Sequence, residues 1–208
     1  MTDASEHPQI YLITPPGHKL GSLSDTLSGL LDSVEIACIR LNTGGVDAED
    51  IARSADLVRE IAHARDVPIV LDGHPGLVEN LGLDGVHLSE GAKALREARK
   101  SLGAERIVGA HAGISRHDGM TAGEIGVDYV AFGPVGDTGL GDTEFAAMDL
   151  FEWWTLMIEL PVIAEGGLTL EATETLSPYV DFVALGAEVW RSDDPVATLK
   201  SFAERLAI

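Results

Sequence analysis

The chain has 208 residues, 45% of them hydrophobic, and 34 acidic against 14 basic residues give it a formal net charge of −20. This composition suits a globular protein with a substantial core, and we expect residues 1–208 to form one domain. The strong negative charge argues against nucleic acid and anionic membrane surfaces as partners. Because neither a long apolar run nor a secretory leader is evident, we expect no membrane span and a cytoplasmic location.

Short, β-branched and almost continuously apolar segments recur along the chain, a pattern typical of strands buried on both faces of a parallel sheet. They lie at residues 10–13, 34–39, 68–71, 84–88, 106–109, 128–132, 161–164 and 181–185. Helical periodicity fills the intervals, most clearly where Asp47 can cap the first turn. The predicted helices cover residues 20–31, 47–64, 75–81, 91–102, 119–126, 144–160, 169–176 and 194–206.

Eight strands alternating with helices predict the α/β class and, more specifically, a (β/α)8 TIM barrel. The alternative is an open, doubly wound sheet. Eight units favour closure, and no G-x-G-x-x-G motif follows the first predicted strand. Barrel sites are built from the loops after the strands, so the candidate residues are those that follow each strand.

Arg40 and His111 are two candidates at strand ends. Arg40 is a lone cation in an apolar strand. It could clamp a phosphate with two N–H groups or form a structural ion pair with Asp72 or another acid of the barrel mouth. His111 could move a proton near neutral pH or be a hydrogen-bonded histidine without a catalytic role.

Glycines follow the last two predicted strands, where barrels often bind phosphate through backbone N–H groups. These residues are Gly166, Gly167, Gly186 and the adjacent Ala187. The alternative is that the glycines only permit tight turns with positive φ. Glu165 and Glu188 oppose phosphate binding, since a carboxylate beside a phosphate is repulsive unless it points away or a metal bridges the two.

Other side chains have simpler interpretations. Asp72 could bind Mg2+ together with substrate phosphates, or cap a helix. Cys38 is interpreted as a small buried core residue rather than a reactive thiol. In the Trp153-Trp154 pair, one ring is expected in the core, and the other partly exposed or in a homo-oligomer contact.

We predict no zinc site, because the spacing of the remaining strand-end histidines is not that of zinc ligands. These are His18, His74, His87 and His117.

Four segments resemble the thiamine phosphate synthase and TenI family, and they follow the family order through nearly the whole chain. They are Y-L-I-T at 11–14, D-G-V-H-L at 84–88, G-V-D-Y-V-A-F-G-P-V at 126–135 and P-V-I-A-E-G-G-L at 161–168. The resemblance implies a barrel that acts on a small phosphorylated heterocycle. Its synthases join a pyrimidine methyl diphosphate to a thiazole phosphate and release diphosphate, whose departure Mg2+ and cations stabilise. The TenI branch tautomerises a thiazole phosphate carboxylate with a histidine after strand five.

The resemblance assigns roles to some residues and leaves others without a counterpart. Arg40 is similar to the arginine that grips diphosphate, but Asn42 stands where the family has a lysine, and Cys38 where it has a glutamine. Asp72 is similar to a metal aspartate, although Leu71 replaces the preceding asparagine. The second metal aspartate is missing unless Glu90 substitutes for it.

The remaining matches concern the phosphate loops and the histidine. Thr138 is similar to the first threonine of the family's T-x-T-K motif, whereas Leu140 and Gly141 replace the second threonine and the lysine. The glycines after the last two strands are similar to the thiazole phosphate loops. His111 lies near the TenI histidine, with His117 as the alternative.

Three functions therefore stay open. The first is synthase activity with altered metal ligation, in which Arg40 and Thr138 act on diphosphate. The second is a TenI-like tautomerase that uses His111, or an otherwise divergent enzyme that acts on a related phosphorylated heterocycle. The third is a non-catalytic barrel that binds a phosphorylated ligand.

Overall fold

The computed structural model describes residues 7–16, 20–45, 47–141 and 144–207 and shows a closed barrel of eight parallel strands. The first strand pairs in parallel with the last, which closes the barrel and excludes the doubly wound alternative. The strands are β1 (Gln9–Ile13), β2 (Ile36–Leu41), β3 (Ile69–Asp72), β4 (Gly85–Leu88), β5 (Ile107–His111), β6 (Tyr129–Phe132), β7 (Val162–Glu165) and β8 (Phe182–Leu185).

Helices surround the barrel in the described part of the chain. They are α1 (Leu20–Ser33), α2 (Ala48–His63), α3 (Ala92–Leu102), α4 (Arg116–Ile125), α5 (Met148–Met157), α6 (Leu170–Leu176), α7 (Ala187–Trp190) and α8 (Pro195–Leu206), with 3-10 helices at Pro75–Leu77 and Ser177–Tyr179. None of the helices in these ranges is long and apolar enough to cross a bilayer.

The predicted helices at 75–81 and 144–160 differ most from the structure. The first is only the 3-10 turn Pro75–Leu77, preceded by His74 in a left-handed conformation with φ 54°. The second is trimmed to α5, since Ala147 and Ile158, on either side of it, have extended backbones. The loop after β8 instead contains α7, a short helix absent from the list of predicted elements.

Side-chain caps begin several helices where the sequence predicts them. The Asp47 carboxylate accepts hydrogen bonds from the backbone N–H groups of Glu49 and Asp50 at the start of α2. Asp194 caps α8 in the same way by accepting from Ala197 N–H. Each such cap stabilises its helix by about 1 kcal/mol.

The barrel interior contains a buried cluster separate from the larger core between sheet and helices. Cys38 is buried there, and burial raises the pKa of its thiol to about 12, so the prediction of a core cysteine is confirmed. Tyr129 also points inward, and it requires glycine at position 109. A Cβ on Gly109 would lie 2.0 Å from Cζ of the Tyr129 ring.

The tryptophan pair on α5 divides between two environments. Trp154 is fully buried, and its indole N–H donates to the carbonyl of Leu160 at 2.9 Å. Trp153 is partly buried, and the Arg116 guanidinium lies 4.9 Å from the centroid of its ring. The prediction that one ring of the pair is in the core is therefore confirmed for Trp154.

Candidate functional site at the barrel mouth

Strand alternation carries four polar side chains to the C-terminal mouth of the barrel. Side chains two residues apart on a strand point to the same face. Because Cys38, Val70 and Ile163 line the interior, Arg40, Asp72 and Glu165 point inward one layer above them. His111 ends β5 at the same level.

Arg40 and Glu165 form an ion pair that is largely shielded from solvent. Arg40 Nη1 lies 2.9 Å from Glu165 Oε2, and the two side chains are 10% and 13% exposed. Burial alone would raise the pKa of Glu165, but the charge of Arg40 and the contact with His111 hold it well below its ordinary value. Burial likewise opposes ionisation of Arg40, yet Glu165 raises its pKa. Arg40 thus forms the structural ion pair that the sequence allows, with another acid of the barrel mouth, Glu165, in place of Asp72.

His111 completes a three-residue cluster around Glu165. Its Nδ1 lies 2.9 Å from Glu165 Oε1, a close contact in which Nδ1 makes no hydrogen bond of acceptable geometry. The carboxylate thus contacts a guanidinium with one oxygen and an imidazole with the other. Sequence reasoning found Arg40 and His111 but missed Glu165 as their common partner.

Beneath this cluster lies a buried chain of aromatic groups. Tyr11 and Tyr129 share a hydrogen bond of 2.8 Å between hydroxyls, and the Tyr129 hydroxyl lies 3.0 Å from His87 Nδ1. Burial lowers the pKa of His87 well below its ordinary value, which favours the neutral ring. Its buried Nε2 has no hydrogen-bond partner among the described groups.

His87, His111 and Glu165 form a spatial group that sequence spacing could not reveal. One donor atom from each lies within 4.8 Å of the others, an arrangement that could hold a metal ion. The three residues come from β4, β5 and β7, so no short motif connects them. Of the remaining strand-end histidines, His74 precedes the 3-10 turn and His117 lies in α4, while His18 falls outside the described residues.

The predicted metal residues Asp72 and Glu90 lie on neighbouring strand ends. Asp72 is half-buried, and burial raises the pKa of its carboxyl; Arg40 opposes this, while Glu165 and Glu90 raise the pKa further. Glu90 is exposed and accepts a hydrogen bond from Ser89 N–H at 3.0 Å. Asp72 does not cap the following turn, since His74 occupies that position.

A pocket of about 550 Å³ opens beside the cluster. It brings together all six residues predicted to bind phosphate. They are Arg40, Thr138, Gly166, Gly167, Gly186 and Ala187, and the pocket lining also includes Asn42, Asp137, Glu188 and Arg191. Asp72, Glu90 and His111 are not among its lining residues.

The glycine loops at this pocket form a ring of backbone N–H groups, and one side chain occupies it. Glu188 Oε1 accepts from the N–H groups of Gly167 at 2.9 Å and Leu168 at 3.2 Å, while Oε2 accepts from Gly186 N–H at 2.9 Å. We call this group of three N–H donors the amide cup. The carboxylate points into it rather than away.

The two glycines after β7 are required by the loop itself. Gly166 and Gly167 have φ values of 81° and 68°, which favour glycine. A Cβ on Gly167 would also lie 2.4 Å from the carbonyl oxygen of Gly136. Tight turns and close loop packing therefore explain these residues without a ligand, and their role in phosphate binding stays a prediction.

Comparisons with known proteins agree with this architecture, a (β/α)8 barrel with a pocket at its C-terminal face. The family model described as thiamine monophosphate synthase matches residues 10–189. The chain belongs to this thiamine monophosphate synthase and TenI family, as the resemblance in its strand motifs implies.

Individual relatives match over nearly their whole length. The chain is 38% identical to a thiamine-phosphate synthase of Rhodospirillum centenum, covering 97% of each chain, and 35% identical to one of Erythrobacter litoralis, covering 96% of this chain and 95% of the relative. Its fold resembles that of a thiamine phosphate pyrophosphorylase from Pyrococcus furiosus, with a TM-score of 0.82 and 18% identity over 96% of this chain and 95% of the other.

Proposed function

We propose that the chain is an enzyme of thiamine biosynthesis that joins a pyrimidine methyl diphosphate to a thiazole and releases diphosphate. The relatives named thiamine-phosphate synthase support this over almost the whole chain. The observation that carries the proposal is the state of Arg40 in the pocket. The Arg40 guanidinium lines the pocket while its Nη1 is held by Glu165.

A guanidinium fixed at a pocket wall is suited to binding phosphate oxygens. Thr138 and Asn42 line the same pocket, so a diphosphate held by Arg40 is within their reach. When the bond from the pyrimidine methylene to diphosphate breaks, negative charge grows on the departing oxygen. A fixed cation beside that oxygen stabilises the transition state. The thiazole nitrogen then attacks the methylene carbon and forms the new bond.

The residues present are compatible with Mg2+ at this edge of the barrel. Mg2+ is commonly held by one or two carboxylates together with substrate phosphates, and Asp72 and Glu90 supply such a pair. The pKa of Asp72 is raised by burial and by neighbouring acids, a surplus of negative charge that a cation would relieve. When bound, Mg2+ supplies positive charge to the diphosphate.

The test is a coupling assay with purified protein, Mg2+, the pyrimidine diphosphate and the thiazole supplied either as its phosphate or as its alcohol. We expect a thiazolium product in at least one mixture. Arg40→Met should reduce kcat/KM by about 100-fold or more, because a fixed cation on the leaving group is lost. Arg53→Met makes the same change on the exposed face of α2 and should leave the rate unchanged. No product at high enzyme concentration rules out the coupling reaction.

A second candidate is tautomerisation of a thiazole phosphate carboxylate, and the contact between His111 and Glu165 favours it. An imidazole beside a buried carboxylate can accept a proton and be stabilised as imidazolium. His111→Ala should then lower the tautomerisation rate by about 100-fold. His117→Ala, on the exposed start of α4, tests the alternative histidine. An unchanged rate in His111→Ala rejects this assignment, and a loss in His117→Ala moves the role to that histidine.

A further inference from the structure

The amide cup is the part of the pocket that the proposed reaction leaves unexplained. All three of its N–H donors are accepted by the Glu188 carboxylate, at 2.9, 3.2 and 2.9 Å. These donors come from two separate loops, one after β7 and one at the end of β8. A phosphate at this corner would need the same N–H groups that the protein's own anion already engages.

Glu188 is held at this position by its neighbours in α7. Val189 is fully buried beside it, and the Trp190 indole N–H donates to the carbonyl of Ile13 at 2.7 Å. These contacts anchor the backbone on both the core side and the β1 side. Together with the three N–H groups of the cup, they place the carboxylate in the pocket wall.

Hydrogen-bonding capacity indicates what the cup can accept. Glu188 Oε1 accepts two N–H groups and Oε2 accepts one, which leaves an acceptor position on Oε2. Glu188 itself lines the pocket. This corner thus presents a negative acceptor rather than free donors, so it repels a phosphate and can accept a hydrogen bond from a hydroxyl group.

We propose that Glu188 makes the pocket select a ligand ending in a hydroxyl group over its phosphate ester, so that the thiazole partner binds as its free alcohol. This rests on the proposed function, which makes a thiazole the ligand. The coupling chemistry is unaltered: the thiazole nitrogen donates its electron pair to the methylene carbon, and the C–O bond breaks with its pair leaving on diphosphate. The product then carries a free hydroxyl in place of a phosphate.

Binding measurements with the thiazole alcohol, thiazole phosphate and inorganic phosphate test the role of Glu188. Calorimetry on the wild-type chain should give a Kd for the alcohol at least about tenfold lower than that for the phosphate ester, a difference of about 1.4 kcal/mol. Glu188→Ala frees the cup and should reverse this order and bind inorganic phosphate more tightly. Glu188→Gln removes the charge at nearly constant size and should shift the ligand preference in the same direction. It replaces Glu188→Ala in the test if that variant fails to fold.

Glu171→Ala is the matched control, since it removes one exposed carboxylate in α6 outside the cup. Its ligand preference should stay that of the wild type, and a reversal there overturns the role of Glu188. Tighter wild-type binding of thiazole phosphate than of the alcohol also overturns it. If no thiazole binds to any variant, the proposed function fails, and inorganic phosphate decides the role of Glu188 alone. If Glu188→Ala binds inorganic phosphate more tightly than the wild type does, Glu188 occupies the phosphate position. Equal affinity of the two chains refutes that role.

Discussion

Glu165 is the residue on which the mouth of the barrel depends most. Its carboxylate compensates Arg40 through one oxygen and contacts His111 through the other. Breaking a buried ion pair by removing one partner leaves an uncompensated charge, which is more costly than the loss of an exposed pair. The exposed pairs of α2, such as Arg53 with Glu49, contribute little by comparison.

Glu165→Gln should therefore lower the free energy of unfolding by about 3 kcal/mol near neutral pH, since Arg40 stays charged and buried. The pKa of Glu165 is lowered in the folded chain from its ordinary 4.5. The stability it contributes is thus fully present above pH 4.5 and is lost as the pH falls towards the folded pKa. The difference between wild type and variant should be constant from about pH 6 to 8 and shrink below about pH 4.5.

Urea unfolding of both chains across this pH range measures that difference. Glu171→Gln changes an exposed carboxylate and should show almost none at any pH. A gap between wild type and Glu165→Gln that widens on acidification would contradict the role given to the ion pair.

At the scale of the elements, the sequence predicts the eight strands and their closure into a barrel. It also predicts part of the site. Period-two alternation from Cys38 leads to Arg40, and the same step from Ile163 leads to Glu165. The inward direction of Glu165 was thus available in the sequence, but its pairing across the barrel was not. That pairing depends on barrel closure, which places β7 three strands from β2 through β8 and β1.

Other features depended on loop conformation and could not be predicted in this way. The cup joins Glu188 to Gly167, twenty-one residues apart, through backbone directions that local propensity does not encode. The glycines of α4 weaken its helical pattern, yet Gly119 is required by packing. A Cβ there would lie 2.7 Å from the Phe132 ring and 2.8 Å from the Trp154 ring. Local sequence patterns predict where helices and strands form, while contacts between elements explain residues that break the pattern, such as Gly119 within α4.

At the scale of the whole molecule, the net negative charge of the chain opposes the binding of an anionic ligand at the site. The 34 acidic residues exceed the 14 basic ones by 20, so most carboxylates have no cation to pair with. Several of the arginines are also used locally, as in the pairs of Arg53 with Glu49 and Arg59 with Asp56. The folded chain therefore repels itself, and the proposed diphosphate ligand enters a field that Arg40 must counter locally.

This self-repulsion predicts that moderate salt stabilises the fold. Raising NaCl from about 10 to 150 mM shortens the Debye length from about 30 to about 8 Å, which screens most repulsion between separated surface acids. A gain of about 1 kcal/mol corresponds to a rise of about 2–4 °C in the unfolding temperature for a chain of this size. Scanning calorimetry with NaCl and KCl at equal ionic strength should show the same rise, because screening depends on ionic strength rather than on the cation. An unfolding temperature that stays flat or falls would mean that local ion pairs, which salt weakens, outweigh the repulsion of the unpaired carboxylates.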